Sequence, residues 1–126
     1  MARRVLIVED DEKSRRLLSD VLAFHGYVIA AAGSGEEALR TVSANVPDAA
    51  LLDIQLPGIS GFEVLARLRE PGCCGPRLPV VAVTASVMEQ DRKKILAAGF
   101  DAFVSKPVNI RELMSTLEQL FVKAAP

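Results

Sequence analysis

Three four-residue stretches, Val5 to Val8, Ala49 to Leu52 and Val80 to Val83, are apolar at every position. A strand with one wet face alternates apolar and polar residues. An unbroken run this short therefore suits a strand buried on both faces, the signature of a parallel sheet covered by helices. Weaker runs at Tyr27 to Ala32 and Ala102 to Val104 bring the expected strands to five. Stretches of helical period lie between them. In the last, Ile110, Leu113, Met114, Leu117, Leu120 and Phe121 share one face; in the first, Leu17, Leu18, Val21 and Leu22 form a stripe, and Gly26 is placed to end the helix in a left-handed turn.

Helix starts are marked by a hydroxyl with Glu three residues later, at Ser34 with Glu37, Ser60 with Glu63 and Ser86 with Glu89; Asn109 with Glu112 is a variant of that box, and Asp11 is placed to cap the first helix. The segment from Ser86 to Ala98 carries a run of charged and polar side chains supported only by Val87, Ile95 and Leu96. It is expected to be the most loosely docked helix, with Gly99 as its stop. The alternation predicts an α/β fold, a (βα)5 flavodoxin-like doubly wound parallel sheet of strand order 2-1-3-4-5, with residues 1–126 as a single domain. No internal repeat, linker or output domain is read in the sequence.

Composition narrows the function classes. Among 126 residues, 15 Lys+Arg nearly cancel 16 Asp+Glu, aromatics are 5% and Trp is absent, which argues against a basic nucleic-acid surface or a base-stacking platform. The doublets Arg3-Arg4 and Arg15-Arg16 are the nearest thing to a polyanion patch. No apolar run approaches the roughly 20 residues that span a bilayer, so no membrane association and a cytoplasmic location are expected. Cys73 and Cys74 are adjacent in a Gly- and Pro-rich loop; they would bridge only through a strained ring and have no nearby His to build a zinc site, so two reduced thiols are expected.

Chemistry concentrates where the strands end. Strand 1 runs into Glu9-Asp10-Asp11, strand 3 into Asp53, strand 4 into Thr84 and strand 5 into Ser105-Lys106-Pro107. In a parallel sheet these carboxyl ends share one edge, the edge at which open α/β sheets bind ligands. Taken singly, each has an ordinary explanation: a strand-end Asp caps a helix, Lys-Pro makes a turn, and Thr at a strand end is common. Taken jointly, they place acids, a hydroxyl and an ammonium together. Carboxylates so crowded repel one another by about 1 kcal/mol per pair even in water. Lys106 supplies one compensating charge and a divalent cation the other; with only oxygen ligands at hand the metal is hard, Mg2+ or Mn2+. An Asp beside such an ion is a nucleophile for phosphoryl transfer, with Lys106 and the Thr84 hydroxyl set to meet the phosphoryl oxygens.

The strings Val5-Leu6-Ile7-Val8-Glu9-Asp10-Asp11, Leu51-Leu52-Asp53-Ile54-Gln55-Leu56-Pro57-Gly58, Val83-Thr84-Ala85 and Val104-Ser105-Lys106-Pro107 resemble, in order and spacing, the receiver domain of bacterial two-component response regulators, over roughly Arg4 to Phe121. The resemblance implies that Asp53 accepts phosphoryl from a phosphohistidine on a histidine kinase or histidine phosphotransfer protein. Asp10 would ligate Mg2+ directly, Glu9 mostly through water, and Asp53 and the Gln55 backbone carbonyl would complete the protein ligands. Thr84 would be the switch hydroxyl and Lys106 the phosphate-pairing cation. Phe103 matches an aromatic that turns inward as the Thr hydroxyl moves, though its ring lacks the hydroxyl of many relatives and also reads as an ordinary core aromatic. A cis Lys106-Pro107 peptide is implied as well.

The resulting expectation is a phosphorylation switch, not an enzyme turning over external substrates, that signals to a downstream protein through the face of helix 4, strand 5 and helix 5. A domain cut from a hybrid kinase or larger regulator is the alternative. An Asp-nucleophile phosphatase of the haloacid dehalogenase kind needs a second Asp where Gln55 stands, and a flavin or nucleotide binder needs a Gly-rich or hydroxyl-rich loop where Asp10-Asp11-Glu12 stands and would repel phosphate without a metal.

Overall fold

The unbroken apolar runs form strands that are covered on both faces. The computed structural model describes residues 2–85 and 88–124. Its strands β1 (Arg4–Val8), β2 (Val28–Ala32), β3 (Ala49–Asp53), β4 (Val80–Thr84) and β5 (Ala102–Ser105) alternate with helices α1 (Glu12–Phe24), α2 (Gly35–Ala44), α3 (Gly61–Leu68), α4 (Glu89–Ala98) and α5 (Ile110–Ala124). Neighbouring strands are parallel in the order β2-β1-β3-β4-β5, the expected doubly wound topology.

Alternate residues of each run enter opposite cores. Leu6, Val8, Ala50, Leu52, Val80 and Ala82 pack with Ala38 and Val42 of α2, Val64, Leu65 and Leu68 of α3, and Ile95 of α4. Val5, Ile7, Ala49, Leu51, Val81 and Val83 pack with Leu18 and Leu22 of α1 and Leu113, Leu117 and Phe121 of α5. The edge strand β2 buries only Ala32 and begins one residue after Tyr27. Tyr27 instead belongs to the preceding turn, where its N–H donates to the Leu22 carbonyl at 3.1 Å and its ring lies 5.9 Å from that of Phe121.

The capping signals act as local chemistry requires. Asp11, Ser34, Ser60 and Asn109 each accept the backbone N–H three residues on, at 2.9, 3.1, 3.3 and 3.1 Å. Glu37 returns its carboxylate to the N–H of Gly33, one residue upstream of the cap. Gly26 and Gly99 take the positive φ values, 95° and 107°, expected of helix stops. Helix α4 begins at Glu89 after Met88, with no side-chain cap bond; Ser86 and Val87, expected to start it, lie outside the described residues. Ile95 is its buried residue, whereas Leu96 is half exposed.

At the edge where strands begin, Arg69 ties three segments. Its guanidinium donates to the Leu78 carbonyl at 3.1 Å, to the Gly99 carbonyl and to Asp101 Oδ2 at 2.7 Å, and the same carboxylate oxygen accepts the Val80 N–H at 2.7 Å. The end of α3, the start of β4 and the stop of α4 are thereby held together.

At the opposite edge, the start of α3 presses against the end of β3. The Gly61 N–H donates to the Ile54 carbonyl at 3.2 Å, and a Cβ at residue 61 would lie 2.7 Å from the Asp53 carbonyl oxygen and 2.9 Å from Ile54 Cα. These are backbone atoms with no rotamer to change. Gly61→Ala is expected to lower unfolding free energy by roughly 1–3 kcal/mol, the usual scale of overpacking. Urea titration would show this as a lower midpoint at unchanged slope; an unchanged midpoint would mean that the backbone yields freely.

Candidate functional site

Four side chains singled out in the sequence meet at the edge where strands end. Glu9 follows β1, its N–H bonded to the Ala32 carbonyl at 3.0 Å, and Asp53 closes β3, where it pairs in register with Val83. Lys106 follows β5, its N–H bonded to the Thr84 carbonyl at 2.8 Å, and the Lys106–Pro107 peptide is cis. The Lys106 ammonium donates to Glu9 Oε1 at 3.0 Å and to Asp53 Oδ2 at 2.9 Å. The other Asp53 oxygen, Oδ1, accepts the Gln55 backbone N–H at 2.9 Å. Asp53 is thus held at both oxygens, in a position that strand register and the β3–α3 turn fix together.

Glu9 and Asp53 are 3% and 4% exposed, while Asp10 faces solvent. One carboxylate oxygen from each of the three lies within 4.8 Å of the others. With all three carboxylates ionised, one ammonium leaves two uncompensated negative charges, the charge that one dication cancels. Burial first, and the neighbouring Asp53 second, push Glu9 up to about 7 against the opposing pull of Lys106. Burial acts to lower Lys106, but hydrogen bonds to Asp53 and Glu9 outweigh it and raise the ammonium above its ordinary value. Glu9 Oε2 is buried without a hydrogen-bond partner. A buried orphan oxygen costs about 1–3 kcal/mol, and an all-oxygen set beside it fits a hard divalent cation.

The remaining candidates are Gln55, Thr84 and Phe103. Gln55 contributes the backbone N–H already described. Thr84 is buried at the end of β4, one residue past the partner of Asp53, and lines a cavity of about 170 Å³ with Ile54, Gln55, Asp91 and Lys94. Phe103 is half-buried in the core on the α4 side, with the Arg92 guanidinium 5.3 Å from its ring centre, outside the carboxylate cluster. A larger cavity, about 460 Å³, opens between α1 and the start of α5; Leu17, Leu18, Val108 and Ile110 line it together with Glu9, Asp53 and Lys106.

Two polar ties, one at the site and one at the opposite edge of the sheet, escaped the sequence reading. Arg15, which reads there as half of a basic doublet, donates from α1 to the Glu9 carbonyl at 2.9 Å and so positions the acidic turn. Its place one turn into α1, after Asp11, was the available signal. Arg69 gave none, because its partners lie up to 32 positions away along the chain.

Comparison with known proteins agrees with this geometry. The response regulator receiver domain family matches residues 5–118. The polar-differentiation response regulator DivK of Brucella ovis is 37% identical over 118 residues, covering 94% of this chain and 95% of that protein. Response regulator MprA of a Mycobacterium species (strain KMS) is 36% identical over 126 residues, 100% of this chain but 54% of its own. Among solved structures, a CheY-like receiver domain protein of Methanospirillum hungatei superposes with a TM-score of 0.85 at 30% identity, over 98% of this chain and 97% of that one. The chemotaxis protein CheY4 of Vibrio cholerae does so with a TM-score of 0.88 at 26% identity, over 95% and 99%. The strand-end cluster therefore sits in a chain that belongs to the response regulator receiver domain family.

Proposed function

We propose that this receiver domain accepts a phosphoryl group on Asp53 from a phosphohistidine of a histidine kinase or histidine phosphotransfer protein, and relays the change by protein contact. The observation that carries this reading is the double restraint of the Asp53 carboxylate, Oδ2 on Lys106 and Oδ1 on the Gln55 N–H, beside the orphaned oxygen of Glu9. Glu9, Asp10, Asp53 and the Gln55 carbonyl would hold Mg2+, or Mn2+ in its place, which when bound neutralises charge on the transferring group. The bond from phosphorus to the donor nitrogen breaks as one to an Asp53 oxygen forms. Lys106 then exchanges its bond to Asp53 for one to a phosphoryl oxygen, and the Thr84 hydroxyl takes another. The buried strand ends orient Asp53 and keep bulk water from its inner side.

The output surface in this reading is made by α4, β5 and α5. Support comes from the shallow anchoring of α4, which buries Ile95 and has no side-chain N-cap, against β4, which is buried at every position. An element held by few contacts shifts at low cost when a group at its edge changes charge.

With acetyl phosphate and Mg2+, wild type is expected to gain one phosphoryl group by intact mass and Asp53→Asn none; equal labelling would place the acceptor elsewhere. Removing Lys106 as Lys106→Ala takes away a cation that competes with the metal. Calorimetry is expected to show Mg2+ binding kept or tightened, while phosphorylation-dependent amide shifts in α4 and β5 are lost. Retention of those shifts would remove Lys106 from the switch.

A third test uses pH. Burial pushes Glu9 from the ordinary 4.5 up to about 7, so between these values the folded state binds more protons than the unfolded chain and stability falls as pH rises. Metal-free protein should lose stability in urea from pH 4.5 towards 7, and saturating Mg2+ should flatten the loss. A metal-independent profile would contradict coupling between the ion and Glu9.

A further inference from the structure

Between α3 and β4 the chain runs Pro71-Gly72-Cys73-Cys74-Gly75-Pro76. Hydrogen bonds from the Cys73 N–H to the Glu70 carbonyl, the Cys74 N–H to the Leu68 carbonyl and the Gly75 N–H to the Glu70 carbonyl, at 2.9, 2.9 and 3.2 Å, fasten this loop to the end of α3. Gly75 turns the chain away at φ 88°. Two half-buried free thiols are left side by side, Sγ to Sγ 3.8 Å. They lie at the edge where strands begin, away from Asp53, and the phosphoacceptor reading gives them no task.

A direct bond between them is disfavoured. Adjacent Cα atoms across a trans peptide are about 3.8 Å apart, below the roughly 4.4 Å minimum of ordinary disulfides. Burial, and then the neighbouring thiol, push Cys74 up to about 12, so little thiolate forms at neutral pH to start oxidation. A larger atom inserted between the sulfurs avoids the strained ring. With bonds of about 2.3 Å to sulfur, the length zinc makes to thiolate, it would span the 3.8 Å gap at a near-tetrahedral angle. Zinc itself needs four ligands, and the acidic cluster at the other edge is the only group of three or more His, Cys, Asp or Glu side chains gathered closely enough among the described residues. The atom that fits is one that asks the protein for two sulfurs and brings its own third substituent.

We infer that Cys73 and Cys74 form a chelating site for trivalent arsenic carrying one substituent of its own. Two arsenic–oxygen bonds break and two arsenic–sulfur bonds form. The thiol protons leave with the displaced hydroxyls as two waters. Arsenic remains trivalent, and no oxidant or reductant takes part. The second bond is intramolecular, so the chelate should exceed a single arsenic–thiol bond by about 10²–10⁴ in affinity.

Phenylarsine oxide added to the full chain in excess monothiol provides the test. Wild type is expected to retain one arsenical by intact mass, to leave neither thiol open to iodoacetamide in urea once the monothiol is removed, where arsenical-free protein exposes both, and to recover them on adding ethanedithiol. Cys73→Ser and Cys74→Ser should each bind roughly 100-fold more weakly or worse, with circular dichroism confirming their fold. If a variant does not fold, wild-type labelling decides: both thiols protected supports the chelate, one protected contradicts it. Equal retention by a folded single-cysteine variant, release from wild type to monothiol, or isolation of wild type as a cysteine–cysteine disulfide would each overturn it.

Discussion

Crowding of like charge at one rim of the sheet is the constraint on which the rest of the molecule turns. Glu9 and Asp53 are buried and share a single ammonium, and Asp10 adds a third carboxylate within reach. Such proximity is unfavourable in any low-dielectric setting, and the fold holds it in place by other means. Parallel pairing fixes where β1, β3 and β5 end. The close approach of Gly61 to the end of β3 and the bond from Arg15 to Glu9 remove most remaining freedom. The unsatisfied Glu9 oxygen and its raised pKa mark the strain that a hard cation beside the three carboxylates would relieve.

The same architecture distributes rigidity unevenly. Strands β3 and β4 are buried throughout, and the Arg69 network clamps the stop of α4 to the start of β4. The start of α4, nearer the acidic rim, has no side-chain cap. With its stop clamped and no side-chain cap bond at its start, α4 is the element that the proposed switch would move. Arg92 over Phe103 and Lys94 over Phe62 are exposed-side contacts of a kind worth about 0.5–1 kcal/mol each, small enough to be exchanged.

Much of this was legible in the sequence because it depends on local pattern. Apolar runs without alternation gave strands buried on both faces, hydroxyl-to-Glu spacing gave the starts of α2 and α3, and the helical crossovers between strands then placed every carboxyl end on one edge. Glu9, Asp53 and Lys106 became neighbours by topology alone. Boundaries shifted by single residues where pairing, not composition, decides: Asp53 and Ser105 are the last residues of their strands through their partners Val83 and Thr84. What remained hidden was long-range and polar. Arg69 bonds to residues that no periodicity links to it, and the bond from Arg15 to a carbonyl depends on how α1 packs against the acidic turn. Nor does the sequence distinguish Leu96, half exposed on α4, from Ile95, which is buried.

The central claim is that the carboxylate cluster, a divalent cation and a phosphoryl group form one interdependent unit at position 53. Amide spectra recorded while beryllofluoride is added, with and without Mg2+, test it most directly. The account predicts shifts only when Mg2+ is present, centred on Glu9, Asp53, Thr84 and Lys106 and spreading into α4 and β5. Shifts of equal size without the ion, or none at those residues with it, would contradict it.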